Sequence, residues 1–508
     1  MKDSLNSTEQ RMLLFSVFIL SLCGIIYELV LGSLSTYLLG NPVQQYSITI
    51  GIFLSSMGVG SYLSKFITKD ILKKFITIEI ILGFVGGISV LVLSFLFSFS
   101  ASYYVLNIFF LFMIGTLVGL EIPIITRILK RYGSLKDIIA NVLTFDYIGG
   151  LIGSLLFPLI LFPFIGRLLT SILIGGLNII VAIVVIIKID YSGKRRGDLL
   201  YPILALILLA ALAFNSDTIT NIFQKRLYYD DIVFSKRSKF QQIVLTRNGS
   251  DFRLYLDGSI QFSTNDEYRY HEMLVFPALS LNKNKNREVL ILGAGDGLAM
   301  REILKSGDVK GVTLVELDPE ITNLAKENSS LRMINGNSLA NKKVKVIIGD
   351  AYKYLLDNKK KYDVIIADFP DPHGETISKL YTFEFFMLIK HSLKSDGIFA
   401  TQSTSPLFAT EAFWCIHNTL KKAFRFVIPY HVFIPSFGDW GFNIASRNSL
   451  SVKRMNSNIK GLKYFSKKAF KSSLHFPSDS YVKTTKINTF NKPVLYNYYL
   501  KGWKTVDY

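Results

Sequence analysis

Cysteine is nearly absent from this chain, with two in 508 residues. Cys23 lies in an apolar run and Cys415 in a more polar half, so no disulfide framework is expected. Neither a CxxC pair nor an HExxH helix occurs, which gives no reason to expect a metal site. Acidic residues are also in short supply: 38 Asp and Glu face 57 Lys and Arg, for a net charge of +19. No arginine-rich arm or nucleic-acid motif accompanies that excess, so nucleic acid is not an expected partner. Lysines beside apolar runs, and a lysine-rich C-terminal region, suit an anionic membrane surface better. The N-terminus shows neither the basic segment nor the cleavage site of a secretory signal, so its apolar run reads as a retained span. Internal repeats and low-complexity tracts are missing too.

What the chain has in plenty is apolar sequence: half of its residues are hydrophobic and the mean hydropathy is +0.34. The excess is concentrated before about residue 215, which argues for a membrane half and a soluble half. Seven segments suit a hydrocarbon core of ~30 Å, which takes about 20 helical residues. They are Met12–Leu31, Ser47–Leu63, Phe75–Phe97, Val105–Ile125, Ile138–Phe162, Leu168–Ile187 and the short Leu200–Phe214. Glycines recur inside them and would let helices pack closely. Basic residues cluster after the second span (Lys65, Lys69, Lys73, Lys74), the fourth (Arg127, Lys130, Arg131, Lys136) and the sixth (Lys188, Lys194, Arg195, Arg196). That asymmetry puts these loops and the N-terminus in the cytoplasm. Glu28, Glu121 and Asp146 fall in or at the ends of spans, where carboxylates are costly and become functional candidates. Glu121, just before Pro123, also reads as a helix-end group reaching the interface.

In the soluble half, Val289–Glu302 reads as an apolar strand, a glycine turn (Gly293-Ala294-Gly295-Asp296-Gly297) and the start of a helix. Glycines allow close backbone approach, and a helix N-terminus offers free N–H groups, so the unit suits a nucleotide-like ligand. A second strand, Val312–Val315, ends at Glu316, about 20 residues on, where an acid can take ribose hydroxyls. A third, Val344–Ile348, leads to Asp350. A fourth, Tyr362–Ala367, ends in Asp368-Phe369-Pro370-Asp371-Pro372. Each carboxylate taken singly also reads as a helix N-cap, but four on successive strand ends suggest one site. Ahead of this region, Ile232–Arg247 and Arg253–Phe262 alternate in polarity, with turn glycines Gly249 and Gly258, as in a small antiparallel unit.

Taken in order, these motifs resemble the polyamine aminopropyltransferases, the spermidine synthase family, in its membrane-embedded bacterial branch. The resemblance rests on LDGSIQ (Leu256–Gln261), DEYRYHEM (Asp266–Met273), the GAGDG turn, VELD (Val315–Asp318), GDA (Gly349–Ala351) and DFPDP followed by Leu380-Tyr381. It implies a multi-pass α-helical membrane domain (1–215, six or seven spans), a small β unit (216–287), a Rossmann-like α/β domain of methyltransferase type (288–450) and a basic C-terminal extension (451–508). The implied reaction transfers an aminopropyl group from decarboxylated S-adenosylmethionine to a di- or polyamine such as putrescine, giving spermidine and methylthioadenosine. No tightly bound cofactor is implied.

By the same resemblance, Gln241, Glu316, Asp350 and Ala351 hold the donor. His271, Asp296, Asp371, Tyr270, Gln261 and Tyr381 line the polyamine side, and Asp368 accepts the proton. Three positions depart from the family pattern: Ala294 replaces a usual glycine, a mild change; Phe437 stands where a tyrosine lines the acceptor site; Glu375 stands where soluble members have proline. The chemistry is coherent with these residues. The attacking amine is protonated at neutral pH, with a pKa of about 10, so a carboxylate must take its proton while others hold the remaining ammonium. Asp296 would also repel a donor that kept its carboxylate.

Two rival readings remain open on the sequence: an S-adenosylmethionine-dependent methyltransferase on the same sheet, and a membrane polyamine transporter with a nucleoside-sensing domain. The expected partners are a small amine and the lipid bilayer, with a second copy of the chain as a further candidate. The expected location is the cell membrane. Seven spans would leave the catalytic half outside, yet the implied donor is cytosolic. The short seventh segment and the basic residues Lys225, Arg226, Lys236, Arg237 and Lys239 beyond it favour a catalytic half in the cytoplasm.

Overall fold

The computed structural model describes residues 7–97, 103–130, 134–189, 196–228, 230–455 and 459–503. Arg131, Lys194 and Arg195, counted above among the basic loop residues, lie outside the described residues. The chain divides into two compact units, Met1–Tyr229 and Asp230–Tyr508. The change of character near residue 215 therefore does not mark the boundary, because a further helix, Ser216–Tyr228, belongs to the first unit. Its low apolar content hides it from a hydropathy reading.

The first unit begins with α1 (Ser7–Leu39), α2 (Pro42–Leu63), α3 (Ile71–Phe97), α4 (Tyr103–Leu129) and α5 (Leu135–Leu156). A π-helical turn at Phe157–Leu161, carrying Pro158, interrupts what the sequence reads as one continuous span. The helices Arg167–Lys188 and Leu200–Phe214 follow. Among the described residues, seven helices are long and apolar enough to cross a membrane, the last being Gly197–Phe214. Contact between α2 and α4 is backbone to backbone. A Cβ on Gly119 would stand 2.1 Å from the Met57 carbonyl oxygen, and one on Gly60 would stand 2.0 Å from that of Thr116. Arg127 is partly structural: its guanidinium donates to the carbonyls of Ser64 (2.7 Å) and Ile67 (3.0 Å), just past α2, and of Pro123 (3.2 Å) in its own helix.

Of the intramembrane carboxylates expected to matter, Glu121 is buried well inside α4, so the helix-end reading does not hold for it. Its neighbour is Glu79 of α3, fully buried and passed over by the sequence reading, whose carboxyl lies within reach of that of Glu121. No other donor serves Glu79 among the described residues.

The second unit opens with β1 (Asp231–Arg237), β2 (Gln242–Asn248), β3 (Asp251–Leu256) and β4 (Ser259–Ser263), an antiparallel sheet in chain order. Gly249 and Gly258 make its turns, as expected. The helix Glu267–Leu281 leads to a seven-stranded sheet of Rossmann type. Its strands are β5 (Arg287–Gly293), β6 (Val309–Glu316), β7 (Val344–Ile348), β8 (Tyr362–Asp368), β9 (Leu393–Gln402), β10 (Phe426–Ile434) and β11 (Gly438–Ser446), in the order β10-β11-β9-β8-β5-β6-β7. The five from β9 to β7 are parallel, while β11 and β10 run antiparallel at one edge. Along β5, Val289 and Ile291 enter the core on one face while Leu290 and Leu292 enter the core on the other. Burial on both faces is why this strand reads as a continuous apolar run.

Residues 451–508 form no separate unit. Phe465 and Phe470 enter one core and Leu495 the other. The buried Glu272 carboxylate accepts from the N–H groups of Lys463 (2.8 Å), Tyr464 (2.8 Å) and Phe465 (2.7 Å). These anchors lie on irregular backbone, so no periodicity announced them.

The α2–α4 contact generates a test. Gly119→Ala places a methyl against a carbonyl and is expected to destabilise the chain by about 1–3 kcal/mol. Gly51→Ala, with nothing within 4 Å of the new methyl, is expected to leave stability unchanged or slightly raised. Thermal unfolding of the two variants in detergent micelles checks the contrast.

Candidate active site

Parallel pairing aligns the carboxyl ends of the central strands. Gly293 of β5 lies opposite Asp368 of β8, and Glu316 of β6 opposite Ile348 of β7. The loops that follow therefore converge on one edge of the sheet, where the acidic residues gather.

On one side of this edge stands Glu316. Its Oε2 accepts from the Gly295 N–H at 3.1 Å and its Oε1 from the Asp318 N–H at 2.9 Å. A Cβ on residue 295 would stand 2.8 Å from this carboxylate, so the approach needs glycine there. Burial pushes the Glu316 carboxyl up to about 7, against the pull of those N–H bonds. Asp318 is the last residue of VELD. Its Oδ2 accepts from the Ser238 hydroxyl (2.6 Å) and from the Gln241 amide (3.0 Å), so it tethers Gln241 beside Glu316. Asp350 caps the helix that starts at Ala351, through the N–H groups of Tyr352 (2.7 Å) and Lys353 (3.1 Å), and pairs with Lys379 at 3.0 Å. These contacts hold its carboxyl below the usual range despite partial burial.

On the other side, Asp368 Oδ1 accepts from the Tyr270 hydroxyl at 2.5 Å. Burial raises Asp368 to about 6; His271 and the Tyr270 bond oppose the rise and Asp296 adds to it. Asp371 takes the Thr404 hydroxyl on Oδ2 at 3.0 Å, while its Oδ1 is buried without a hydrogen bond among the described residues. Burial raises it too, to about 6. Tyr381 donates to the Pro370 carbonyl (3.2 Å) and accepts from the Gln402 amide (2.6 Å), which also donates to Phe369 O (2.7 Å). The DFPDP loop is thus gripped at its middle. Phe437 packs edge-on against the Tyr270 ring.

His271 works through a chain of charges. Its Nδ1 donates to Glu267 Oε2 at 2.8 Å, and Arg301 donates to both oxygens of the same carboxylate at 2.8 and 2.9 Å. Burial disfavours the imidazolium, yet Glu267, helped by Asp296 and Asp368, raises His271 to about 9. Glu267 in turn is lowered to about 2, its burial outweighed by His271 and Arg301. Asp296 is raised by burial and turns one oxygen to the Leu298 N–H at 2.8 Å.

The structure thus brings Asp296, Glu316, Gln241, Asp368, Asp371, Tyr270, His271 and Tyr381 to one sheet edge, with Asp350 and Ala351 beginning the helix after the neighbouring β7. Gln261 lies on β4, where its amide donates to Ser259 O at 3.1 Å. Sequence reasoning missed Glu267, Arg301, Asp318, Gln402 and Thr404. Glu267 was visible within DEYRYHEM, four residues before His271 and so on the same helix face. Among the described residues no group of three or more His, Cys, Asp or Glu side chains is arranged to hold a metal ion.

Comparison with known proteins fits this geometry. The family model for the spermine/spermidine synthase domain matches residues 267–456. A polyamine aminopropyltransferase of Leptospira interrogans is 41% identical over 499 residues, spanning 98% of this chain and 99% of that protein. One from Oceanobacillus iheyensis is 38% identical, spanning 98% of each. One from Mycobacterium tuberculosis is 34% identical, spanning 97% of each. Among solved structures, a spermidine synthase in complex with the transition-state analogue AdoDATO is 27% identical, with a TM-score of 0.46 over 49% of this chain and 86% of that one. The near-full-length identity to these curated proteins shows that this chain belongs to the polyamine aminopropyltransferase family.

Proposed function

We propose that this enzyme transfers the aminopropyl group of decarboxylated S-adenosylmethionine, the co-substrate of its family, to a diamine such as putrescine, giving spermidine and methylthioadenosine. The observation that carries this reading is the DFPDP loop. Two carboxylates, Asp368 and Asp371, stand on one clamped turn, held by neutral hydroxyls, with Asp371 Oδ1 free of any hydrogen bond among the described residues. A buried acceptor of that kind suits an ammonium.

In the reaction the acceptor nitrogen attacks the aminopropyl carbon next to the sulfonium. The new C–N bond forms as the C–S bond breaks, and the bonding pair leaves with sulfur as neutral methylthioadenosine. The proton carried by the attacking amine goes to Asp368, whose elevated pKa of about 6 makes it a stronger base than an exposed aspartate. Asp371 holds the acceptor's far ammonium. Glu316 takes the ribose hydroxyls, with Gln241 beside it, and Asp350 and Ala351 receive the adenine end. Ionised Glu316 and Asp296 also attract the cationic donor. Asp296 repels a donor that has kept its carboxylate.

The apolar unit is the part we assign to the cell membrane. Its seven long helices and the basic residues between them support that assignment. We place the catalytic unit on the cytoplasmic side, with the last apolar helix, Gly197–Phe214, not crossing: it is the shortest of the seven, its α-helical part has 15 residues, and basic residues follow it.

Four measurements test these assignments. Asp368→Asn keeps shape and removes basicity, and is expected to lower kcat by ~10²–10⁴; turnover close to the parent's would assign the base elsewhere. Because both Asp368 and Asp371 titrate near 6, kcat/KM for the acceptor is expected to fall on acidification through that pH more steeply than one ionisation allows, and Asp371→Asn is expected to restore a single-ionisation slope. Glu316→Ala is expected to weaken methylthioadenosine binding about tenfold or more, by loss of charge-assisted hydrogen bonds, with acceptor binding little changed; calorimetry decides. Sidedness is read by alkaline phosphatase fusions after residues 190 and 230, both expected silent; activity at 230 with silence at 190 puts the catalytic unit outside.

A further inference from the structure

The C-terminal helix Leu495–Trp503 lies wholly outside the 267–456 stretch that carries the family's domain, yet it reaches the acceptor side of the site. Its position is fixed by a buried residue just before it. The Asn488 amide donates to the carbonyls of Ser378 (3.1 Å) and Tyr381 (3.2 Å), and its Oδ1 accepts from Val494 (3.1 Å) and Leu495 (3.3 Å). The Phe383 N–H donates to the Asn488 carbonyl at 2.9 Å, and the Asn488 N–H donates to the Thr419 hydroxyl at 3.0 Å. Asn488 therefore ties the segment after the DFPDP loop to the start of the last helix.

At the far end, Trp503 packs on Phe408 with ring centroids 5.4 Å apart, and Phe408 in turn abuts Gly438 of the loop that carries Phe437. Between these two anchors, Tyr499 presents its hydroxyl to Asp371. Asp371 is the carboxylate whose Oδ1 takes no hydrogen bond among the described residues.

Resting on the reaction proposed above, we infer that this helix is a wall of the acceptor site and that Tyr499 sets the length of amine the site accepts. An ammonium seated on Asp371 Oδ1 shares that carboxylate with the Tyr499 hydroxyl. A diamine ends there. A triamine carries a further aminoalkyl arm past that ammonium, and the arm meets a ring that Asn488 and Trp503 hold in place. Tyr499 thus favours the diamine in two ways. Its hydroxyl orients the Asp371 carboxylate that receives the far ammonium, and its ring blocks the chain beyond.

The test uses the purified full chain in detergent, decarboxylated S-adenosylmethionine, and putrescine or spermidine as acceptor. Tyr499→Phe keeps the wall and removes the hydroxyl: KM for putrescine is expected to rise about tenfold, the loss of one hydrogen bond to a charged group, with little change in kcat. Tyr499→Ala opens the wall: the spermidine-to-putrescine ratio of kcat/KM is expected to rise about tenfold or more. Methylthioadenosine affinity, read by calorimetry, is expected to be unchanged in both. Unaltered putrescine KM in Tyr499→Phe overturns the hydroxyl's role, and an unaltered ratio in folded Tyr499→Ala overturns the wall. Loss of donor affinity together with acceptor affinity marks a merely structural residue and also overturns the inference. Should Tyr499→Ala not fold, Tyr499→Leu supplies the ratio. An active parent with unaltered variants sinks this inference alone; a parent that forms no aminopropylated product sinks the underlying reaction as well.

Discussion

Keeping several carboxylates side by side in a buried place is the constraint on which the catalytic unit depends. Asp296, Glu316, Asp368 and Asp371 arrive from the ends of three strands, and burial raises all four. Like charges brought together out of water oppose one another's ionisation. The protein answers mostly with neutral donors: backbone N–H groups on Asp296 and Glu316, a phenol on Asp368 and a threonine hydroxyl on Asp371. His271, raised to about 9 and secured by Glu267 and Arg301, sets a positive charge against Asp296 and Asp368. Such a site is short of cations by design of its own packing. A sulfonium donor and an ammonium acceptor bring the charges it lacks.

Holding these groups requires backbone in unusual places. Thr404 has φ of +59°, a left-handed conformation that a β-branched residue adopts at a cost of about 1–3 kcal/mol. It is kept there by its N–H on Gln402 Oε1 (2.8 Å) and by the Gly441 N–H on its carbonyl (2.8 Å). The result is a hydroxyl aimed at Asp371. Ala294 has φ of +62° in the glycine turn. On the sequence, alanine there reads as a mild replacement; the backbone shows it to be a strained one, since a Cβ in this region costs roughly 1–2 kcal/mol.

The sequence was most informative where chain-local chemistry decides the outcome. The apolar strands β5 to β8, the turn glycines 249 and 258, and the acids at strand ends are legible because a strand buried on both faces and a positive-φ turn leave few residue types to choose from. Fidelity fades where a residue acts across the fold. Glu79 was overlooked because its partner, Glu121, is on the next helix. Thr404 and Gln402 follow an ordinary strand and gain meaning only against the DFPDP loop. The helix Ser216–Tyr228 is too polar to be seen as part of an apolar unit. Residues 451–503 gave only a basic, aromatic composition, because their anchors are single side chains on irregular backbone.

The Asn488 clasp has a further consequence for how the enzyme comes into being. Ribosomes make chains from the N-terminus, and segments fold as they emerge. The sheet, its glycine turn and both aspartates of the DFPDP loop are all synthesised before the residues that fasten that loop's far side. Until Asn488 and Leu495–Trp503 have left the exit tunnel, Ser378 and Tyr381 lack their partner and one core lacks Leu495. A nascent chain that has released only the sheet therefore carries Asp368 and Asp371 on a loop whose far side is still unfastened. The order of synthesis makes the loop first and its clasp some hundred residues later.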